Sequence, residues 1–296
     1  MTLMSLVSLV KFNEKEMSLQ EAVEEALRLI DFQSSPGVKK IAIKPNMCYY
    51  WDYSTGETTD PKFVAAIIDT VRKRISPTIN ISVVESDASA MKCKYAFRML
   101  GYEKMAEEKK VALVNLSDDD AEDTNVKVGD STFEFSLPKT LAEADMLINV
   151  PKIRYMQQVK ISCALKNIYG CNPYPKKFKY HKHLDEVIIA LNKITKPHLT
   201  ILDGIIASGI GTRKLGLVMA STDAVAIDAA AARIAGMNPH SLKYLQLASR
   251  EKIGSLDFVP KGEALDHFKR LFPRKTTTYK TRELLSRLYF HFAPNH

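Results

Sequence analysis

Three lysines follow predicted strands or begin short polar segments, and their spacing points to the binding of an anion. Lys44 stands in Ile-Lys-Pro-Asn, Lys152 in Asn-Val-Pro-Lys, and Lys166 in Ala-Leu-Lys-Asn-Ile-Tyr-Gly. An ammonium group suits a carboxylate or a phosphate. The neighbouring amides of Asn46 and Asn167 can add hydrogen bonds to the same ligand. We therefore predict a site for a small anionic ligand, in a binding protein or an enzyme.

Acidic side chains follow other predicted strands. Glu85 and Asp87 come from Glu-Ser-Asp, Asp203 precedes Gly204, and Asp223 follows Ser-Thr. Such carboxylates can orient the lysines, hold a divalent cation, or act as acid and base. Asp223 has an equally good alternative as the N-cap of the next helix. Lys44, Lys152, Lys166 and Asp223 are the candidate catalytic residues, and the ligand-binding candidates are Asn46, Glu85, Asp87, Asn167, His181 and Asp203.

His181 is one of two histidines in a loop rich in Pro, Lys and Tyr that runs from Cys171 to His183. Paired histidines can bind a metal or transfer a proton. The alternative is that both are ordinary surface histidines. A long loop of this kind often serves as a lid or a binding segment.

The chain has four cysteines, Cys48, Cys93, Cys163 and Cys171, and none forms a Cys-x-x-Cys pair. Four in 296 residues make no disulfide framework. Four thiolates can hold an iron–sulfur cluster or zinc, which would make this a metal-binding redox protein. The alternative is that they are small core residues. The sequence is compatible with an iron–sulfur cluster, with a divalent metal and with no cofactor.

Alternating strands and helices are predicted to position these residues. Apolar strands that alternate with amphipathic helices predict an α/β fold with a mostly parallel sheet and crossover helices on both faces. Because parallel strands carry their carboxyl ends to one edge, the candidate side chains should meet there. The predicted strands are 1–12, 40–44, 80–84, 111–116, 144–150, 199–202 and 215–220, and the helices are 19–30, 63–75, 94–108, 185–194, 223–235 and 241–251.

Composition excludes a mostly disordered or fibrous chain, since 46% of residues are hydrophobic and 26% charged. No apolar run reaches the roughly 20 residues of a membrane helix, and the apolar start is predicted to be a strand rather than a signal peptide. We therefore expect a cytoplasmic protein.

The net charge of +8 is uneven. We predict an α/β body over residues 1–258 and a basic extension over 259–296, which has eight Lys/Arg and three acids. Such a tail can bind nucleic acid or an anionic membrane face, although packing on the body or on a second subunit is the more ordinary use. A homo-oligomer is therefore a candidate assembly, and nucleic acid is the less favoured partner.

The motifs together resemble the domain of unknown function 362 family, a prokaryotic group, over roughly residues 38–254. The resemblance rests on 43–46, 58–61, 85–87, 144–152, 164–170, 203–204, 215–218 and 223–236. It implies an α/β fold and a strand-end site, and it supplies no reaction. Some relatives are fused to ferredoxin-type modules, which makes an iron–sulfur protein a candidate partner, although no such module is present here. The family's Pro-Lys-x-Lys-Thr-His has become Pro151-Lys-Ile-Arg-Tyr-Met156.

Overall fold

Strands and helices alternate along the chain in the computed structural model, which describes residues 4–47 and 49–273. The strands are β1 (Ser5–Lys11), β2 (Lys40–Pro45), β3 (Asn80–Glu85), β4 (Ala112–Asn115), β5 (Ala121–Val128), β6 (Ser131–Pro138), β7 (Met146–Val150), β8 (Lys152–Met156), β9 (Lys160–Ser162), β10 (Leu199–Gly209), β11 (Gly211–Ser221) and β12 (Phe258–Gly262). The helices are α1 (Leu19–Leu29), α2 (Pro61–Arg74), α3 (Cys93–Met99), α4 (Tyr102–Lys109), α5 (Lys139–Ala142), α6 (Ala164–Asn167), α7 (Leu184–Thr195), α8 (Ala224–Ile234), α9 (Lys243–Arg250) and α10 (Leu265–Leu271).

The main sheet has the strand order β12-β1-β11-β10-β7-β2-β3-β4. Along this path, among the residues described, β11 alone runs antiparallel to its neighbours. Short β8 pairs with β10 beyond the end of β7, and β9 pairs with β8. The predicted mostly parallel α/β sheet is therefore confirmed.

Helices cover both faces of this sheet, and the alternation of side chains along each strand explains why. In β2, Ile41 and Ile43 point into one apolar core with α1 to α4, whereas Ala42 faces the other core with α6 to α10. A strand buried on both faces reads as a nearly continuous apolar run, as β2 and β7 do.

Local sequence signals set several helix starts. Ser18 and Glu21 form a capping box at α1, because each side chain accepts a hydrogen bond from the other residue's backbone N–H. Asp60 caps α2, whose first residue is Pro61. Gly101, with a φ of +82°, separates α3 from α4 within the single helix that the sequence predicts over 94–108.

Two features of the sheets differ from the sequence prediction. Strands β10 and β11 form one long hairpin, which reverses β11 and carries its carboxyl end to the opposite edge of the sheet. Residues 121–138 form a separate two-stranded hairpin of β5 and β6. The predicted boundary between body and extension falls at β12, which pairs with β1, while α10 packs against α8. Residues 274–296, the rest of that extension, lie outside the described residues.

None of the helices in the described ranges is both long enough and apolar enough to cross a membrane.

Candidate functional site

A buried ion pair lies at the carboxyl ends of β2 and β3. The Nζ of Lys44 donates to a carboxylate oxygen of Glu85 at 2.7 Å and to the carbonyl of Pro45 at 2.7 Å. The two side chains are only 1% and 3% exposed. Adjacent parallel strands end together, so the sequence prediction that both residues share one edge is matched by this contact.

Gly170 allows this pair to sit against the segment after α6. A Cβ at position 170 would come within 2.8 Å of the Glu85 carboxylate and of the Lys44 Cε and Nζ. The pair and the backbone of this glycine are therefore packed in direct contact, and a larger residue would displace one of them.

Asparagine side chains fasten α6 to the same strand ends. The Nδ2 of Asn167 donates to the carbonyl of Lys44 at 3.0 Å and to the Oδ1 of Asn149 at 2.8 Å. Asn149 in turn donates to the carbonyl of Ala164. Asn46 donates to the carbonyl of Glu57 at 2.5 Å. The amides of Asn46 and Asn167 thus have backbone partners while their side chains line the cavity described next.

A cavity of about 300 Å³ opens above these groups, and we call it the Lys177 cavity. Charged and polar side chains from β2, β3, α6 and the loop after it line it: Lys44, Glu85, Lys166, Asn167, Lys177 and His181. The Nζ of Lys166 lies 4.0 Å from the centre of the Tyr169 ring, a cation–π distance. His181 stands exposed at the rim, where partial burial and the charge of Lys166 lower the pKa of its imidazole.

Lys177 is a buried cation of this cavity that sequence reasoning missed. Its Nζ donates to the Oγ of Ser86 at 2.6 Å, and that hydroxyl donates to the carbonyl of Gly170. Burial is the main cause that lowers the pKa of Lys177 to about 8, and the charge of Lys44 acts in the same direction. Lys177 is one of four lysines between residues 176 and 182, and no local pattern singles it out.

The three lysines predicted to bind an anion line two different cavities. Lys152 pairs with Asp203 at 3.0 Å, with side chains 2% and 1% exposed. Both line a second cavity of about 380 Å³, the Asp203 cavity, together with Asp60. The backbone N–H of Asp60 donates to Asp203, and burial raises the pKa of the Asp60 carboxyl. Lys44 and Lys166 therefore face one cavity and Lys152 another.

Two predicted acids lie elsewhere or have structural partners. Asp223 caps α8 through the N–H groups of residues 225 and 226, and it accepts from Ser5 at 2.6 Å. It follows Ser221, which pairs with Thr200 at the amino end of β10, so the structure places Asp223 at the opposite edge. The expectation of one shared edge was wrong for this strand end because β11 is antiparallel. Asp87 accepts from the N–H of Cys93 and from Lys92.

His183 also stays away from the Lys177 cavity. Its ring packs edge-on against Phe133, with centroids 6.2 Å apart. Of the histidine pair, the structure brings His181 alone to the rim of the cavity as it is lined by described residues.

The cysteines Cys93, Cys163 and Cys171 are buried free thiols. Burial raises the pKa of all three, that of Cys171 to about 12. Within residues 4–47 and 49–273, no three His, Cys, Asp or Glu side chains are arranged to hold a metal ion. Cys48 lies outside the described residues, so the four-cysteine centre stays a prediction.

A buried acid in α8, which the sequence analysis did not name as a candidate, accepts hydrogen bonds from the start of α6. Asp228 in α8 accepts from the N–H of Ala164 at 2.5 Å and from the hydroxyl of Tyr244 at 3.1 Å. Burial raises the pKa of this carboxyl to about 7. Its position on a helix of alanines could be found by noting one acid in an otherwise apolar face.

Comparison with known proteins identifies one family. The model of the domain of unknown function DUF362 matches residues 41–233, well over half of the chain. A thylakoid-associated protein of Synechocystis sp. is 31% identical over 138 residues, which cover 42% of this chain and 42% of that protein. The chain therefore spans less than half the length of this curated relative.

Two solved structures show weaker likeness. The lactate racemase apoprotein of Thermoanaerobacterium thermosaccharolyticum has a TM-score of 0.40 and 12% identity, over 70% of this chain and 51% of that one. A Thermotoga maritima protein has a TM-score of 0.33 and 11% identity, over 64% and 51%.

Proposed function

The chain belongs to the DUF362 family, and from the chemistry of the Lys177 cavity we propose that it binds a small anionic molecule there, a carboxylate or a phosphate. The observation that carries this proposal is the state of Lys177. A protonated lysine has three N–H donors, and among the described residues Lys177 has one hydrogen-bond acceptor, Ser86. A buried ammonium with unused donors facing a cavity favours a ligand that brings acceptors and negative charge.

The balance of charge in the cavity supports an anion. Among the described residues that line it, Lys44, Arg154, Lys166 and Lys177 are basic, whereas Glu85 is the one carboxylate. The Glu85 carboxylate is already engaged by Lys44, and Arg154 pairs with Glu57. Lys177 has no carboxylate partner in an ion pair of the described residues. A cavity with an excess of cations, partly screened from water, strengthens the attraction of a small anion.

The size of the cavity limits the ligand. About 300 Å³ lies at the lower end of the range for small-molecule sites. A dicarboxylate, a short hydroxy or oxo acid, or a single phosphate group fits this volume better than a nucleotide does.

Thermal unfolding in the presence of anions tests the proposal. Oxalate and phosphate should raise the melting temperature of the wild-type protein, because a ligand at 100 times its Kd stabilises the folded state by about 2.7 kcal/mol. Lys177→Met should abolish this rise. Lys176→Met is the matched control, since it removes the same charge from an exposed neighbour. An equal rise in the wild type and in Lys177→Met would overturn the proposal.

A further inference from the structure

The hydrogen-bond geometry fixes which way the Lys177 amine is oriented. The Ser86 hydroxyl has one proton, and it donates that proton to the carbonyl of Gly170. Ser86 Oγ must therefore accept from Lys177, so one N–H of the amine points at Ser86. When the amine is neutral, its lone pair and second N–H are directed away from Ser86.

The same surroundings make the neutral amine far more common than it is in an ordinary lysine. Burial and the charge of Lys44 both act against protonation, while the charge of Glu85, which favours it, is balanced by Lys44 at 2.7 Å. With a pKa of about 8, roughly one Lys177 in ten is neutral at pH 7, against fewer than about one in a thousand for an ordinary lysine. A neutral amine is the nucleophilic form.

We propose that Lys177 is a nucleophilic amine that forms an imine with a small aldehyde or 2-oxo acid held in the Lys177 cavity. This inference rests on the proposed anion site, because the carboxylate of such a molecule would be the group that the surrounding cations bind. It adds a substrate class, carbonyl-bearing acids, and a reacting atom, the Nζ of Lys177.

The step balances without any further reagent. The Nζ lone pair attacks the carbonyl carbon, a C–N bond forms, and the carbonyl oxygen becomes a hydroxyl. Both N–H protons of the neutral amine leave with that oxygen as one water molecule, and no electrons are gained or lost. A proton taken up from solvent by the imine nitrogen then restores the N–H that Ser86 accepts.

Reductive trapping with glyoxylate tests this inference on the whole wild-type protein. Glyoxylate and cyanoborohydride convert a reactive lysine into its carboxymethyl derivative, which peptide mass spectrometry locates. At pH 7, Lys177 should be modified at least about tenfold faster than the exposed Lys176 and Lys182 of the same loop. The rate at Lys177 should level off above about pH 8, while the rates at the exposed lysines continue to rise.

A rate at Lys177 no greater than at Lys176 would overturn the inference. Oxalate separates this failure from failure of the anion site, since it has two carboxylates and no aldehyde. If oxalate stabilises the protein through Lys177 but glyoxylate does not select Lys177, the imine is wrong and the anion site stands. If glyoxylate selects Lys177 while oxalate neither stabilises the protein nor protects Lys177, the reactive amine stands and the anion site is wrong.

Discussion

Removing the charge of Glu85 should destabilise the protein strongly and through one identifiable partner. In Glu85→Gln, the Lys44 ammonium loses its carboxylate partner. The Lys44 side chain is only 1% exposed, so water cannot replace that partner. Breaking a buried ion pair by removal of one partner costs about 3–5 kcal/mol, because the remaining charge is desolvated and unpaired. Lys44→Met should cost a similar amount for the same reason.

The double variant Lys44→Met/Glu85→Gln distinguishes this cause from general damage. With no charge left unpaired, its loss of stability should fall short of the sum of the two single losses by at least about 2 kcal/mol. The matched control is the Lys40–Glu143 pair, at the same 2.7 Å but with side chains 53% and 46% exposed. Its coupling should be below about 1 kcal/mol.

Urea unfolding of the wild type and the six variants that make up the two cycles measures both couplings. Equal couplings in the buried and the exposed pair would refute the account of the Lys44–Glu85 pair as a desolvated ion pair.

Three further predictions concern the groups around this pair. Gly170→Ala should lower the free energy of unfolding in urea by about 1–3 kcal/mol, since the new Cβ would lie 2.8 Å from side-chain atoms of Lys44 and Glu85. Unchanged stability would contradict the close contact between Gly170 and the ion pair. Lys177 is less protonated in the folded than in the unfolded protein between its pKa of about 8 and the ordinary 10.5, so its contribution to stability should rise by about 3 kcal/mol over that pH interval. The buried thiols act in the opposite sense above about pH 9, so the quantity to measure is the stability of the wild type minus that of Lys177→Met, which should rise with pH; a constant difference would contradict the lowered pKa of Lys177. Asp228 is more protonated in the folded than in the unfolded protein between pH 3.8 and about pH 7, so its contribution to stability should fall by about 4 kcal/mol as the pH rises through that interval. Asp228→Asn should remove this fall in pH-dependent unfolding, and an unchanged pH profile would exclude Asp228 as its source.

Strand-end reasoning predicted the sheet and the contacts among three of the candidate residues. The apolar runs that become β2, β3 and β7 are short, uniform and separated by helices, so their parallel arrangement follows from pattern alone. Lys44, Glu85 and Asn167 therefore meet as the sequence predicts.

The direction of β11 did not follow from its residues. An apolar strand has the same pattern in either direction, and β10 continues as far as Gly209, so that a one-residue turn returns the chain as a hairpin. Asp223 therefore does not join the other strand-end residues, because it lies at the edge of the sheet where β10 begins. The second half of β10 contains Gly204, Ser208 and Gly209, which are uncommon in strands, so the sequence did not predict that the strand continues into a hairpin.

Lys177 and Asp228 show why the sequence alone does not predict which ionisable side chains are buried. Each owes its character to burial by segments distant in sequence: Ser86 and Lys44 surround Lys177, and Ala164 and Tyr244 surround Asp228. A loop of lysines contains no local signal for such burial, and one acid in an alanine-rich helix does not show which residues will be its partners. Those partners lie 16 to 133 positions away along the chain.

Titration calorimetry of oxalate binding tests the central claim, that Lys177 is the cation that holds the anion. At pH 8 about half of the Lys177 side chains are protonated, and a bound anion should favour the protonated form. Binding measured in two buffers of different ionisation enthalpy should therefore show uptake of up to about half a proton per oxalate, falling towards zero at pH 6. Lys176→Met should behave as the wild type does, and Lys177→Met should lose both the binding and the proton uptake. Oxalate binding with the same heat in both buffers at pH 8, or undiminished in Lys177→Met, would contradict the claim.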